Sequence, residues 1–304
     1  MKKKYRILAP ATSANLGPGF DCLGLALGLY LRLEVREAPG SGFELELSGE
    51  GAASLPRDQR NILCRSLGQA LAHTGHTPGH LYLSAHSAIP LAAGLGSSAA
   101  ARVAGLAAGL VLSGQTPDPD LLIALAEGEE GHPDNVAPCV LGGFALAVRD
   151  QDRLTCLHLA PPTGLQALVL VPDFELPTPR SRRALPAQVP LVDAVFNHSR
   201  TALLCAALTL GRLDLLEIAM QDRLHQPYRA ALIPGLATVL QAALDAGALG
   251  ASLSGAGPAV LALVGRGDHA PGPAMQEAWQ RHQISSRLLV LDLDDSGLQV
   301  ETDP

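Results

Sequence analysis

The sequence predicts an α+β protein of two domains. Segments with helical spacing are interleaved with segments that read as strands, and glycines punctuate them regularly. At 304 residues the chain is also long for one hydrophobic core, so two units of about 150 residues each follow. The basic tip Lys2-Lys3-Lys4 reads as a solubilising tail before a strand-like segment at 5–10, which is too short for the apolar stretch of a signal peptide. Residues 43–47 alternate as a half-buried strand, 62–72 carry helical spacing, and 81–85 read as a second strand. Residues 98–112 form an alanine-rich helix with Gly114 as its stop, and 121–128 a short helix before a loop and the apolar run 140–148. The register changes at 149–153, and strands at 157–159 and 166–171 open a second part, so the division falls at 1–160 and 161–304. Helices at 193–210, 213–220 and 233–246 and strands at 260–264 and 287–293 complete it.

Composition narrows the function. A net charge of −7 argues against nucleic acid or an anionic membrane surface as partner. No uninterrupted apolar run reaches transmembrane length, since Arg102 and several glycines break 99–112. Cys22, Cys64, Cys139, Cys156 and Cys205 are odd in number and scattered, as expected of reduced thiols in the cytoplasm.

The most informative stretch is IPLAAGLGSSAA, residues 89–100. Gly94 and Gly96 can turn their N–H groups around an anion, and Ser97 and Ser98 stand at a helix start that favours phosphate. A serine hydroxyl there can also reach a magnesium ion. A dinucleotide-binding turn would follow a buried strand, yet Pro90 interrupts this one. A Walker loop needs a lysine, and every lysine in the chain lies at positions 2–4. A plain helix cap is the other reading.

Three further segments carry chemistry. Residues 10–21 (PATSANLGPGFD) are an irregular loop in which Asn15 and Asp21 either satisfy backbone groups or hold a substrate's hydroxyl and cation. Residues 130–138 (EGHPDNVAP) crowd a carboxylate, an imidazole, an acid and an amide into six positions, a mixture suited to phosphoryl transfer but also found in solvated loops. Residues 252–263 (SLSGAGPAVLAL) form a second glycine loop that feeds a strand, either a turn or a floor beside the phosphates. His73, His76 and His80 mimic a metal cluster, but Gly75, Pro78 and Gly79 break any helix that would align them.

Residues 10–21, 89–100 and 252–263 resemble, in order and spacing, the three motifs of the GHMP small-molecule kinases. Within that superfamily the chain is most similar to the homoserine kinase branch, through NLGPGFDCLG (15–24), GHPDNVAP (131–138), PTPRSRRALP (177–186) and DRLHQPYR (222–229). The resemblance implies a two-domain α+β fold, with a ribosomal-protein-S5-like, ATP-binding N-terminal domain over 1–160 and a ferredoxin-like C-terminal domain over 161–304. It implies ATP-dependent phosphorylation of the L-homoserine hydroxyl to O-phospho-L-homoserine, toward threonine, with magnesium as cofactor and a homodimer as assembly. Pro90, Gly94, Leu95, Gly96, Ser97 and Ser98 would wrap the nucleotide phosphates, and Asn61 would contact adenine. Ser98 and Glu130 would hold magnesium. Asn15, Asp21, His132, Arg182, Arg229 and Gly255 would line the homoserine pocket.

Two choices stay open at this point: Glu127 and Glu129 compete with Glu130, and Arg180 and Arg183 with Arg182. Several relatives in the superfamily pair an aspartate base with a lysine, and this chain has no lysine beyond its N-terminal tip. Direct transfer is therefore expected, with Asn135 and Thr178 orienting the hydroxyl, Asp134 close by without the role of base, and the phosphate taking the proton. A kinase for mevalonate-like or sugar substrates and a nucleotide-binding regulator without catalysis are the alternatives.

Overall fold

The computed structural model describes residues 4–151 and 153–303; Lys2 and Lys3 of the basic tip lie outside the described residues. The chain runs β1 (Lys4–Ala14), β2 (Leu23–Ala38), β3 (Phe43–Gly49), α1 (Ile62–Thr74), β4 (His80–Ser87), α2 (Ser97–Leu112), α3 (Pro119–Glu130), α4 (Val136–Leu141), β5 (Phe144–Asp150) and β6 (Arg153–Leu159). It continues through β7 (Leu165–Pro172), α5 (Thr178–Arg183), α6 (Leu191–Leu210), α7 (Leu216–Ala219), α8 (Gln226–Arg229), α9 (Leu236–Asp245), β8 (Gly250–Leu253), β9 (Val260–Gly265), α10 (Pro271–Arg281), β10 (Ser286–Asp292) and β11 (Gln299–Asp303).

A seven-stranded sheet sets β11, β1, β2, β4 and β3 side by side, and β5, which carries β6, pairs with the first residues of β2. A four-stranded antiparallel sheet follows the order β10-β7-β9-β8. Several sequence expectations need correction. β1 runs on through Pro10 to Ala14, so only residues after Ala14 form the loop; the register against β2 shifts between Pro10 and Ala11, a bulge suited to a ring with no N–H to give. β6 pairs with β5 and so belongs to the first sheet rather than opening the second. β11, and not the strand at 287–293, is the last element, and it returns to pair with β1. α3 is longer than expected because Asp118 caps it through Leu121 N–H, Pro119 occupies its first turn and Gly131 ends it. Glu127, Glu129 and Glu130 therefore ride on a helix. The expected loop at 130–138 likewise ends in helix, at α4.

α2 is buried on nearly every side, which its apolar sequence requires. It packs against α1, where a side chain at Gly105 would strike the Leu63 carbonyl. β7 explains how the two sheets share a core. Ala167, Val169 and Val171 face the main cluster, whereas Leu168 and Leu170 face a second cluster around Trp279, α9 and α10. Among the described residues no helix is long and apolar enough to cross a membrane.

Candidate active site

The end of β1, the loop before α2 and the β8–β9 loop meet at the first turn of α2. Gly94 and Gly96 both take left-handed angles, φ 79° and 68°. A Cβ at Gly94 would land on the Ser254 carbonyl, and one at Gly96 on the Thr12 hydroxyl. Hydrogen bonds fasten the junction: Thr12 N–H to the Leu95 carbonyl (3.1 Å), Ser254 Oγ to the Gly94 carbonyl (2.7 Å) and Ala259 N–H to the Ala93 carbonyl (3.1 Å). Gly96 caps α2 with no side-chain hydrogen bond, so the N–H groups of its first turn face the cleft open to an anion.

That cleft is lined by Asn15, Pro90, Gly94 to Ser98, Glu130, His132, Asp134, Asn135, Thr178, Arg182, Arg229 and Gly255. Asp21 does not line it but reaches it through Arg182, whose two terminal nitrogens donate to the two Asp21 oxygens at 3.0 and 2.7 Å. Arg180 and Arg183 on the same short helix are exposed. The three glutamates also separate. Glu127 pairs with Arg149, Glu129 with Arg65 and Arg102, and Glu130 accepts from Ser98 Oγ at 3.1 Å. Asn61 caps α1 through Leu63 N–H and is not among the residues lining the cleft. Asn15, with φ 71°, gives its amide to the Gly255 carbonyl (2.9 Å) and accepts from Asp21 N–H (3.0 Å).

His132 Nδ1 lies 2.6 Å from Asp134 Oδ1. Burial disfavours a charged imidazole there, but Asp134 overrides it and holds the His132 pKa above its ordinary value. Thr12, fully buried, donates to Asn135 Oδ1 at 2.8 Å, which leaves the Asn135 amide N–H groups for the cleft. Burial, with Arg182 adding to it, brings Arg229 down to about 10, so the guanidinium is still charged at neutral pH.

Behind the cleft, Arg229 donates to His225 Nδ1 (2.9 Å), and His225 Nε2 lies 2.7 Å from the Gly17 carbonyl. A guanidinium can only donate and a carbonyl can only accept. The imidazole is therefore neutral with its proton on Nε2. Burial keeps it so and lowers its pKa; Asp222 and Asp21 oppose that effect and Arg229 reinforces it. In the unfolded chain this histidine protonates first, so stability is lost as pH falls below the unfolded value of about 6.5, with a slope of at most about 1.4 kcal/mol per pH unit. Urea titrations between pH 5 and 8 are expected to show a shallower slope in His225→Gln, whose amide can keep both contacts without a titrating ring.

The sequence matches the GHMP kinases N terminal domain profile over residues 61–143 and the GHMP kinases C terminal profile over 204–284. It is 48% identical to the homoserine kinase of Moorella thermoacetica over 278 residues, 91% of this chain and 93% of that one. The chain belongs to the homoserine kinase family. The crystal structure of homoserine kinase from Cytophaga hutchinsonii superposes with a TM-score of 0.90 at 35% identity, covering 99% of this chain and 98% of that one. Mevalonate kinase of L. major, at 17% identity and a TM-score of 0.71, shares the fold over 95% of this chain and 96% of its own. Sequence reading passed over three residues of the site: Thr12 behind Asn135, His225 behind Arg229, and Arg102 beside Glu130. Only Arg102 announced itself, as a charge inside an apolar helix.

Proposed function

We propose that the cleft transfers the γ-phosphoryl group of ATP to the hydroxyl of L-homoserine, giving O-phospho-L-homoserine and ADP in threonine biosynthesis. One arrangement carries this reading. A carboxylate, Asp21, and two guanidiniums, Arg182 and Arg229, stand together a short distance from the open first turn of α2. A zwitterion with a hydroxyl is the complement of that set: its ammonium replaces one partner of the Asp21–Arg182 pair, and its carboxylate takes the arginines.

The N–H groups of the phosphate loop and of the α2 first turn receive the nucleotide phosphates. Ser98 and Glu130 offer a hydroxyl and a carboxylate, hard oxygen ligands that suit magnesium shared with phosphates. Bound there, magnesium would neutralise charge on the transferred group. The Asn135 amide and the Thr178 hydroxyl orient the substrate oxygen. That oxygen bonds to the γ-phosphorus as the bond to the β-phosphate oxygen breaks, and its proton passes to a phosphate oxygen. This reading takes the enzyme to be cytoplasmic and homodimeric.

Coupled ADP release with ATP and magnesium against L-homoserine, mevalonate, galactose and shikimate tests the substrate: turnover on L-homoserine alone is expected. Direct transfer has its own test. Asp134→Asn is expected to keep at least about a tenth of wild-type kcat, because a general base is worth about 10²–10⁴-fold. Near-complete loss with substrate binding and fold intact would make Asp134 the base.

A further inference from the structure

α2 carries a single charged side chain, Arg102, and it is buried. It lies one helical turn beyond Ser98, so both project from one face toward the last turn of α3. Arg102 Nε and Nη2 donate to Glu130 Oε2 at 3.2 and 3.1 Å, and Ser98 Oγ donates to the same oxygen at 3.1 Å. Arg102 Nη1 goes to Glu129, which Arg65 also holds at 3.0 Å. Three donors thus converge on one oxygen of Glu130. No described residue donates a hydrogen bond to the other oxygen, Oε1, and Glu130 lines the cleft.

Simple electrostatics makes this arrangement costly for a cation site, because a fixed guanidinium repels the metal the carboxylate is meant to bind. Its geometry gives a reason to keep it. An unclamped glutamate at a helix end samples several rotamers and must be ordered when the metal arrives. We propose that Arg102 is a positioning residue for the divalent cation: its fork fixes Glu130 through Oε2 and reserves Oε1 as the single metal-binding oxygen. The proposal rests on the reading of Glu130 as a metal ligand. Its sign opposes the electrostatic expectation, which is that removing the positive charge tightens metal binding.

The test titrates Mn²⁺ by electron paramagnetic resonance into the enzyme–ADP complex of the wild type, Arg102→Met, Arg102→Lys and Glu130→Gln. The magnesium dependence of kcat/KM for ATP and the KM for L-homoserine are measured alongside. Arg102→Met is expected to weaken Mn²⁺ about 10–100-fold, to raise the half-saturating magnesium concentration in parallel, and to leave the homoserine KM within about twofold. Arg102→Lys keeps the charge without the fork and is expected to fall between. Unchanged or tighter Mn²⁺ binding in both arginine variants, with weakened binding in Glu130→Gln, overturns the role of Arg102 alone. Unchanged binding in Glu130→Gln overturns the metal-ligand reading and this proposal with it. Should Arg102→Met fail to fold, Arg102→Lys decides: a weakening of about threefold or more supports the clamp, and none overturns it.

Discussion

Gly94→Ala is expected to lower kcat/KM for ATP at least about 100-fold, because a methyl group at this position separates two motifs that build the site. Two costs fall on the substitution. The backbone at φ 79° lies in the left-handed region, which disfavours an L side chain by about 1–2 kcal/mol. The added Cβ would also strike the Ser254 carbonyl and crowd Gly257, both backbone atoms that cannot swing aside as a flexible side chain could. The β8–β9 loop must retreat, which breaks the Ser254 hydroxyl bond to the Gly94 carbonyl and displaces the N–H groups that the proposed function assigns to the phosphates. Misplacement by about 1 Å is enough for a loss of this order. Gly114→Ala is the control. Its φ of 77° carries the same strain, but its missing side chain would meet open space. It is expected to lower the melting temperature while leaving kcat/KM unchanged, and equal losses of activity in the two variants would sink the clash argument.

The glycine loop that opens into α2 is legible in the sequence because its signal is local: two glycines, two serines and a helix start occupy twelve consecutive residues. α2 and α6 were legible for a similar reason, since long apolar periodicity fixes a helix with little help from its neighbours. β2 is harder to see in the sequence, although Leu31, Leu33 and Val35 alternate inward against Arg32, Glu34 and Arg36. The glycines at its start mask the pattern, and its two halves pair with different strands, β5 and then β4. β11 is five residues with no periodicity of its own, and it exists because β1 presents a free edge. Within the site, sequence reading leaves Glu127, Glu129 and Glu130 as rivals, and three arginines likewise. Those choices depend on which face of a helix turns inward. Arg182 turns toward Asp21, and Glu130 toward Ser98, only once α5 and α3 are packed.

Arg229→Met is expected to raise the KM for L-homoserine by two to three orders of magnitude while the KM for ATP moves by no more than about twofold. Arg229 is almost fully buried, and its Nη1 is committed to His225 and to the Gly255 carbonyl at 3.0 Å. Its Nε has no hydrogen-bond partner among the described residues, which is costly for a charged group out of water. A carboxylate that reaches the Arg229 guanidinium from the cleft gains charge-assisted bonds, and losing one partner of such a pair costs about 2–5 kcal/mol. Arg229→Lys is expected to fare little better, since an ammonium cannot present two parallel donors while also holding His225 and Gly255. A purely structural role for Arg229 in supporting the β8–β9 loop would also raise a KM, so the decisive quantity is a discrimination ratio. 3-Amino-1-propanol keeps the ammonium and hydroxyl of the substrate and lacks the carboxylate. The wild type is expected to prefer L-homoserine over it by a large factor in kcat/KM, and Arg229→Met to lose most of that preference. A structural defect would depress both substrates and leave the ratio intact. Only a residue that binds the carboxylate abolishes the distinction between a substrate that has one and a substrate that does not.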